Sequence, residues 1–183
     1  MASEKTLSEL RAEFGRSRFM AMPISGTIAW TVAGILGAIL PSRTASFALF
    51  FCTGMIFPMG IVIGRFIGED VLQTRNELDR LFGLSILMAS LNWAIVIPFW
   101  MVDHTSLPLG VGVLAGLMWI PFSWMLQHWV GMFHAITRTV LIAVAWFAFP
   151  RHRFTVIPAI IVVIYLISIA ALARRPLPAR EAT

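Results

Sequence analysis

The side chains best able to do chemistry collect in one stretch: Ser123, Gln127, His128, His134, Thr137, Arg138 and Thr139. His134 and Arg138 are four apart, the spacing that stacks two side chains on one helical face. A guanidinium beside an imidazole, without a carboxylate partner, suits the holding of a negative group. Asn92 is the one further amide in an apolar run that could join such a site. The candidate ligand-binding set is therefore Arg138, His134, His128, Gln127 and Asn92.

Other chemistries find no support. All nine acidic residues (Glu4, Glu9, Glu13, Glu69, Asp70, Glu77, Asp79, Asp103 and Glu181) fall in tails, connections or ends of apolar runs. Carboxylate-bridged metal centres and carboxylate proton relays need acids projecting into a bundle, so neither is expected. The four histidines divide into His128 and His134 on one side and His104 and His152 on the other. Two imidazoles without thiolate or carboxylate partners make a poor zinc site. No Gly-x-Ser-x-Gly elbow and no glycine-rich phosphate loop is present. No catalytic residue, no metal and no cofactor is expected, and the chain is not read as an enzyme.

These residues need elements to position them, and composition names the kind. Residues of the AVILMFWYC set make up 58% of the chain and charged residues 13%. A soluble domain carries roughly 45–50% apolar and about 25% charged residues. Apolar stretches of about 20 residues recur, the length that crosses ~30 Å of hydrocarbon as a helix. The expected fold is all-α, a polytopic membrane bundle of six spans: Phe19–Leu40, Phe47–Ile67, Leu81–Val102, Leu109–Leu126, Gly131–Phe149 and Thr155–Ala173. Residues 1–18 form an amphipathic segment, 19–173 the transmembrane domain, and 174–183 a basic tail. The first apolar run reads as a retained span, with no signal peptide evident. Cys52 stands alone, so an internal disulfide is excluded.

In the N-terminal segment Thr6 and Glu9 are spaced as a capping box. Leu7, Leu10 and Phe14 share a face that is expected to lie on the membrane surface, before Gly15 stops the helix. Asn76 is placed to cap the helix of the third span, with Arg75/Asp79 and Glu77/Arg80 spaced as ion pairs. Lys and Arg number eleven on the side of both termini, Arg138 and Arg180 included, against Arg43, Arg151 and Arg153 on the other. That bias puts both termini in the cytoplasm, in the cell (inner) membrane.

The fourth and fifth spans share only 41 residues from Leu109 to Phe149. One of them is expected to be short, or the pair to form a re-entrant hairpin. If a span began after Arg138, 11 residues would remain to Phe149, roughly 17 Å of helix and too short to cross. Arg138 therefore sits at membrane depth or in a wet pocket. The competing account has Arg138 snorkelling to the surface and His134 bonded to a backbone carbonyl.

Gly60, Gly64 and Gly68 lie on one helical face, and Gly112 and Gly116 repeat the spacing. Such faces serve close helix packing, within the chain or as a homo-oligomer seam through Gly60, Gly64, Gly112 and Gly116. Pro58, Pro98 and Pro121 should kink their helices. An offset of 63 aligns Trp30 with Trp93, Met55 with Met118, Pro58 with Pro121 and Gly68 with Gly131, an echo expected of duplicated helical hairpins. Trp30, Trp93, Trp119, Trp124 and Trp146 read as core, and Trp100 and Trp129 as interfacial.

The Leu-Arg-Ala-Glu-Phe stretch at 10–14, the His134-x-x-x-Arg138 spacing and the Arg153-Phe-Thr-x-Ile-Pro start of the last span carry a resemblance. Over its whole length the chain resembles an uncharacterised group of small multi-pass bacterial membrane proteins, which implies no activity. The functional expectation is a small transporter or channel-like protein for an anionic or polar solute or a lipid headgroup. The alternative is a structural or accessory membrane subunit without a ligand site. The lipid bilayer is the expected surrounding, and no nucleic acid is expected as a partner.

Overall fold

The computed structural model describes residues 5–178, and among them every regular element is helical. In chain order these are α1 (Leu7–Phe14), α2 (Ala21–Ile39), α3 (Ser42–Gly54), α4 (Ile56–Ile67), α5 (Glu77–Leu91) and α6 (Trp93–Val102). They continue with α7 (Leu107–Leu114), α8 (Trp119–Leu126), α9 (Val130–Ala148) and α10 (Arg153–Arg174). Five helical stretches are long and apolar enough to cross a bilayer, and six when the pair α3–α4 is counted as one span. The all-α reading holds, and the helices have the length and apolarity of an integral membrane protein. Arg180, Glu4 and Glu181 lie outside the described residues.

Three spans are interrupted near their middles. The second bends by 42° between α3 and α4, at Met55. The third is broken at Asn92, and the fourth unwinds over residues 115–118. Pro58 and Pro121 are each the third residue of the half-helix that follows a break. Neither supplies the N–H that a carbonyl four residues earlier would accept, so the ladder stops one turn before each. The 63-residue echo has a counterpart here: α2 ends at Ile39 and α6 at Val102, while α4 begins at Ile56 and α8 at Trp119.

The fourth span is not short. A 3-10 turn at His104–Ser106 adds to its start, so His104–Leu126 holds 23 residues and α9 holds 19. Gln127 then takes a left-handed conformation (φ 54°) and returns the chain within three residues.

The tightest helix pair is α2 against α10, antiparallel, and glycine makes it so. A Cβ on Gly26 would lie 2.6 Å from the Tyr165 ring, and one on Gly34 3.0 Å from Pro158. One on Gly37 would strike the Phe154 carbonyl. Close approach of backbones supplies the dispersion contacts that lipid cannot drive by exclusion. Four glycines of the two regularly spaced series also face inward: Gly60 meets Met22, Gly64 meets Ala21 and Val71, Gly112 meets Ile142 and Ile161, and Gly116 meets Arg138. Each of these four glycines thus has a packing neighbour within the chain. Gly68 is no packing residue but the left-handed cap of α4 (φ 73°).

The two ends of the bundle are tied differently. At one end Ser42 Oγ pairs with His104 Nε2 at 2.9 Å, and Arg153 donates to Thr105 Oγ1 at 2.8 Å while stacking 3.4 Å over Trp146. At the other end α1 carries its Thr6–Glu9 capping box and docks on α5 and α8. Phe14 is fully buried there, its ring within 4.6–6.3 Å of those of Phe19, Phe82 and Phe122. Of the apolar face expected on the lipid surface, Phe14 sits in an aromatic socket between α5 and α8, Leu10 is half-buried and Leu7 is exposed. Asn76 caps α5 and also donates to the Leu10 carbonyl and to Glu13 Oε2. The Glu77–Arg80 ion pair forms at 3.3 Å, whereas Asp79 accepts from the Arg75 backbone rather than its side chain.

Candidate functional site

Arg138 is the ninth residue of α9, about 12 Å along a 19-residue helix. Its side chain is 1% exposed, so it does not snorkel. Among the described residues the ion pairs are Lys5–Glu13 and Glu77–Arg80, and Arg138 has no carboxylate beside it. Burying an arginine near mid-bilayer costs about 2.5–3.5 kcal/mol on insertion scales, so its partners must compensate.

Those partners are neutral and come from three helices. Arg138 Nε donates to the Gly112 carbonyl at 2.5 Å. That carbonyl is free because the Gly116 N–H turns to Val113 instead, at 2.9 Å, where the fourth span unwinds. Gly116 also makes room: a Cβ there would lie 3.0 Å from Arg138 Cδ. Nη1 approaches His134 Nε2 at 3.3 Å and Tyr165 Oη at 3.4 Å. Trp30 and Tyr165 turn ring faces toward the guanidinium at 5.5 and 5.6 Å.

The tautomer of His134 follows from its neighbours. Ser168 gives its single hydroxyl proton to the Ile164 carbonyl at 2.8 Å, so it can only accept from His134 Nδ1, 2.9 Å away. Nδ1 therefore carries the proton, and the Nε2 lone pair faces Arg138. Trp119 stacks on the imidazole at 4.0 Å and 10°, which fixes the ring plane. His134 is an acceptor that holds the guanidinium from behind.

In front of the guanidinium lies a cavity of about 470 Å³. Arg138 lines it, and Nη2 has no hydrogen-bond partner among the described residues. The walls come from α2, α4, α5 and the broken fourth span, and all three helix interruptions border it. Trp30, Trp93, Trp119, Phe82, Phe122 and Tyr165 supply aromatic surface. Asn92 spends its amide N–H on the Leu114 carbonyl at 3.2 Å and lines the same space. The mouth lies at the end where α1 docks, among Glu69, Asp70, Arg75 and Asp79.

Residues 7–175 match the model of a family described as a family of unknown function (DUF7010). The chain belongs to that family. No curated protein and no solved structure matches it. The matched segment runs from α1 through Arg175, so the buried Phe14 and Arg138 both lie within the DUF7010 unit.

The structure divides the sequence-derived candidates in this DUF7010 member. Arg138 and Asn92 face the cavity, and His134 stands behind Arg138. Gln127 and His128 do not reach it. Gln127 is exposed at the turn after α8, its amide bonded to the Trp124 carbonyl, and His128 accepts from the Val130 N–H. Burial, and then the Arg175 cation, push the His128 imidazole below its ordinary range. Ser123 bonds to the His128 carbonyl at 2.6 Å and closes the same turn. Sequence reasoning missed Tyr165, Ser168, Trp30 and Trp119. The signal available was that Tyr165, the only tyrosine, and Ser168 lie three apart within the most apolar span.

Proposed function

We propose that this protein is a small membrane transporter that binds an anionic solute through Arg138, with both termini on the cytoplasmic side. One observation carries the reading: a guanidinium buried at mid-span, held by neutral acceptors, keeps Nη2 free toward a cavity. A cation built into apolar surroundings without a counter-ion leaves a charge for a ligand to complete. Broken helices around a central site are the usual device for exposing backbone groups to a solute. An accessory subunit would gain nothing from an uncompensated internal charge.

The test is thermal stability of the purified protein in detergent against a panel of inorganic and organic anions. A rise with one anion class, absent in Arg138→Gln and retained in Gln127→Ala, supports the site. Uptake of that anion into proteoliposomes then supports transport. Absence of any shift across the panel, with the wild type folded, sinks the reading and favours the accessory-subunit alternative.

A further inference from the structure

Resting on that reading, we propose that the ligand is an apolar monoanion: a single carboxylate on a hydrocarbon or aromatic body. The charge comes from counting cations in the cavity. Arg138 is the one basic residue in its depth, and the other lining cation, Arg75, is at the mouth with its Nε bonded to Gln73. One negative charge is matched there. A second would be buried without a partner, at a cost that rises steeply in low dielectric.

The mouth points the same way. Glu69, Asp70 and Asp79 border it, against Arg75 alone. This acidic rim repels a multiply charged anion more than a singly charged one. The Glu69 carboxylate is held there by Ser17 Oγ, Met20 N–H and Ala21 N–H at 2.8–2.9 Å.

The body follows from the walls. Between Arg138 and the rim the cavity presents Trp30, Trp93, Trp119, Phe82 and Phe122, with Asn92 as the main polar interruption. A hydrated inorganic ion would lose its water shell against these rings and regain only one donor group. A carboxylate on an apolar body gives its charge to Nη2 and its surface to the aromatics. A cavity of about 470 Å³ is of the size that holds small ligands.

The experiment measures binding to the full chain in detergent by calorimetry and thermal shift. The probes are phenylacetate and octanoate, phenyl phosphate and isophthalate, inorganic phosphate, benzyl alcohol, and phosphatidylglycerol in mixed micelles. Phenylacetate and octanoate should bind about tenfold or more tighter than the dianions and the neutral alcohol, and should compete with each other. Arg138→Gln should remove the response, and the competition pattern stands as a wild-type test should that variant fail to fold. Preference for phenyl phosphate, inorganic phosphate or phosphatidylglycerol overturns this inference and leaves the anion site in place. Failure of every anion overturns both.

Discussion

Arg18 and Arg175 each hold the backbone of the segment that carries the other. Arg18 Nη1 donates to the Ala173 carbonyl at 2.6 Å, and to that of Arg175 itself at 3.3 Å. Arg175 Nη2 donates to the Gly15 and Ser17 carbonyls at 2.8 and 2.7 Å. Two cations are thereby brought together at the end of the bundle, and carbonyl dipoles rather than carboxylates absorb their charge. The clasp joins the entry of α2 to the exit of α10, the pair that glycine packs most closely.

Arg175→Ala should therefore free α1 without unfolding the spans. Hydrogen bonds to charged donors are worth about 1.5–3 kcal/mol where buried. Amide exchange across residues 7–18 should rise by an order of magnitude or more, with exchange in α9 unchanged. Unchanged exchange in α1 would show that the Phe14 socket suffices alone.

Glu69 caps a helix that has no cap of its own. Met20, at the start of α2, offers no side-chain cap, and Glu69 reaches across from the loop after α4 to accept from the Met20 and Ala21 N–H groups. Glu69→Ala should cost about 0.5–2 kcal/mol, as N-cap losses do, and Glu69→Gln less because its amide oxygen still accepts. Denaturant or thermal midpoints in detergent separate the two. Equal midpoints for both variants and the wild type would refute the capping role.

Gly116 is open because Arg138 passes over it. In Gly116→Ala the new Cβ meets Arg138 Cδ at 3.0 Å and Nε at 3.2 Å, so the guanidinium must shift off the Gly112 carbonyl. Anion-induced stabilisation should fall about tenfold in apparent affinity, while the apo midpoint moves by less than about 1–3 kcal/mol. An unaltered anion response would place the ligand elsewhere.

Acid should loosen α1 before it loosens the bundle. Hydrogen bonds from Asn76 and Lys5 hold the Glu13 carboxyl below the ordinary range. A lowered folded-state value means stability that is present above the ordinary carboxylate value and lost as pH falls through the lowered one. Amide exchange of α1, corrected for intrinsic rates, should increase over that window. In Asn76→Ala the acid-dependent part should shrink, since the largest cause of the shift is gone. A profile identical in the variant would refute the coupling.

The helices were legible, and the reason is periodicity and length. Runs of about 20 apolar residues have one economical conformation in lipid, where each backbone group must be satisfied within its own segment. The Thr6–Glu9 box and the Asn76 cap were legible for the same reason, being contacts between residues close in sequence, whereas Asp79, read as an ion-pair partner of Arg75, completes the Asn76 cap instead. Arg138 could be placed at depth by counting residues to Phe149. What misled was partner choice. Gly26, Gly34 and Gly37 carry the main helix contact, yet their irregular spacing hides it, whereas the regular Gly60–Gly64–Gly68 series ends in a cap.

By itself, then, the sequence determined an all-α chain with five or six membrane-length helices and a lone cation where lipid would tolerate it least. Only the tertiary structure decided what surrounds that cation. The carbonyl of Gly112, the ring of His134 and the hydroxyl of Tyr165 arrive from three spans, 26, 4 and 27 residues away. It also decided that Gln127 and His128 stay outside the cavity and that Phe14 is buried against Phe19, Phe82 and Phe122. The physical reason is that hydrogen bonds within a helix are local and read in order along the chain. The faces that helices turn to one another depend on where each span breaks and which small residues let it approach.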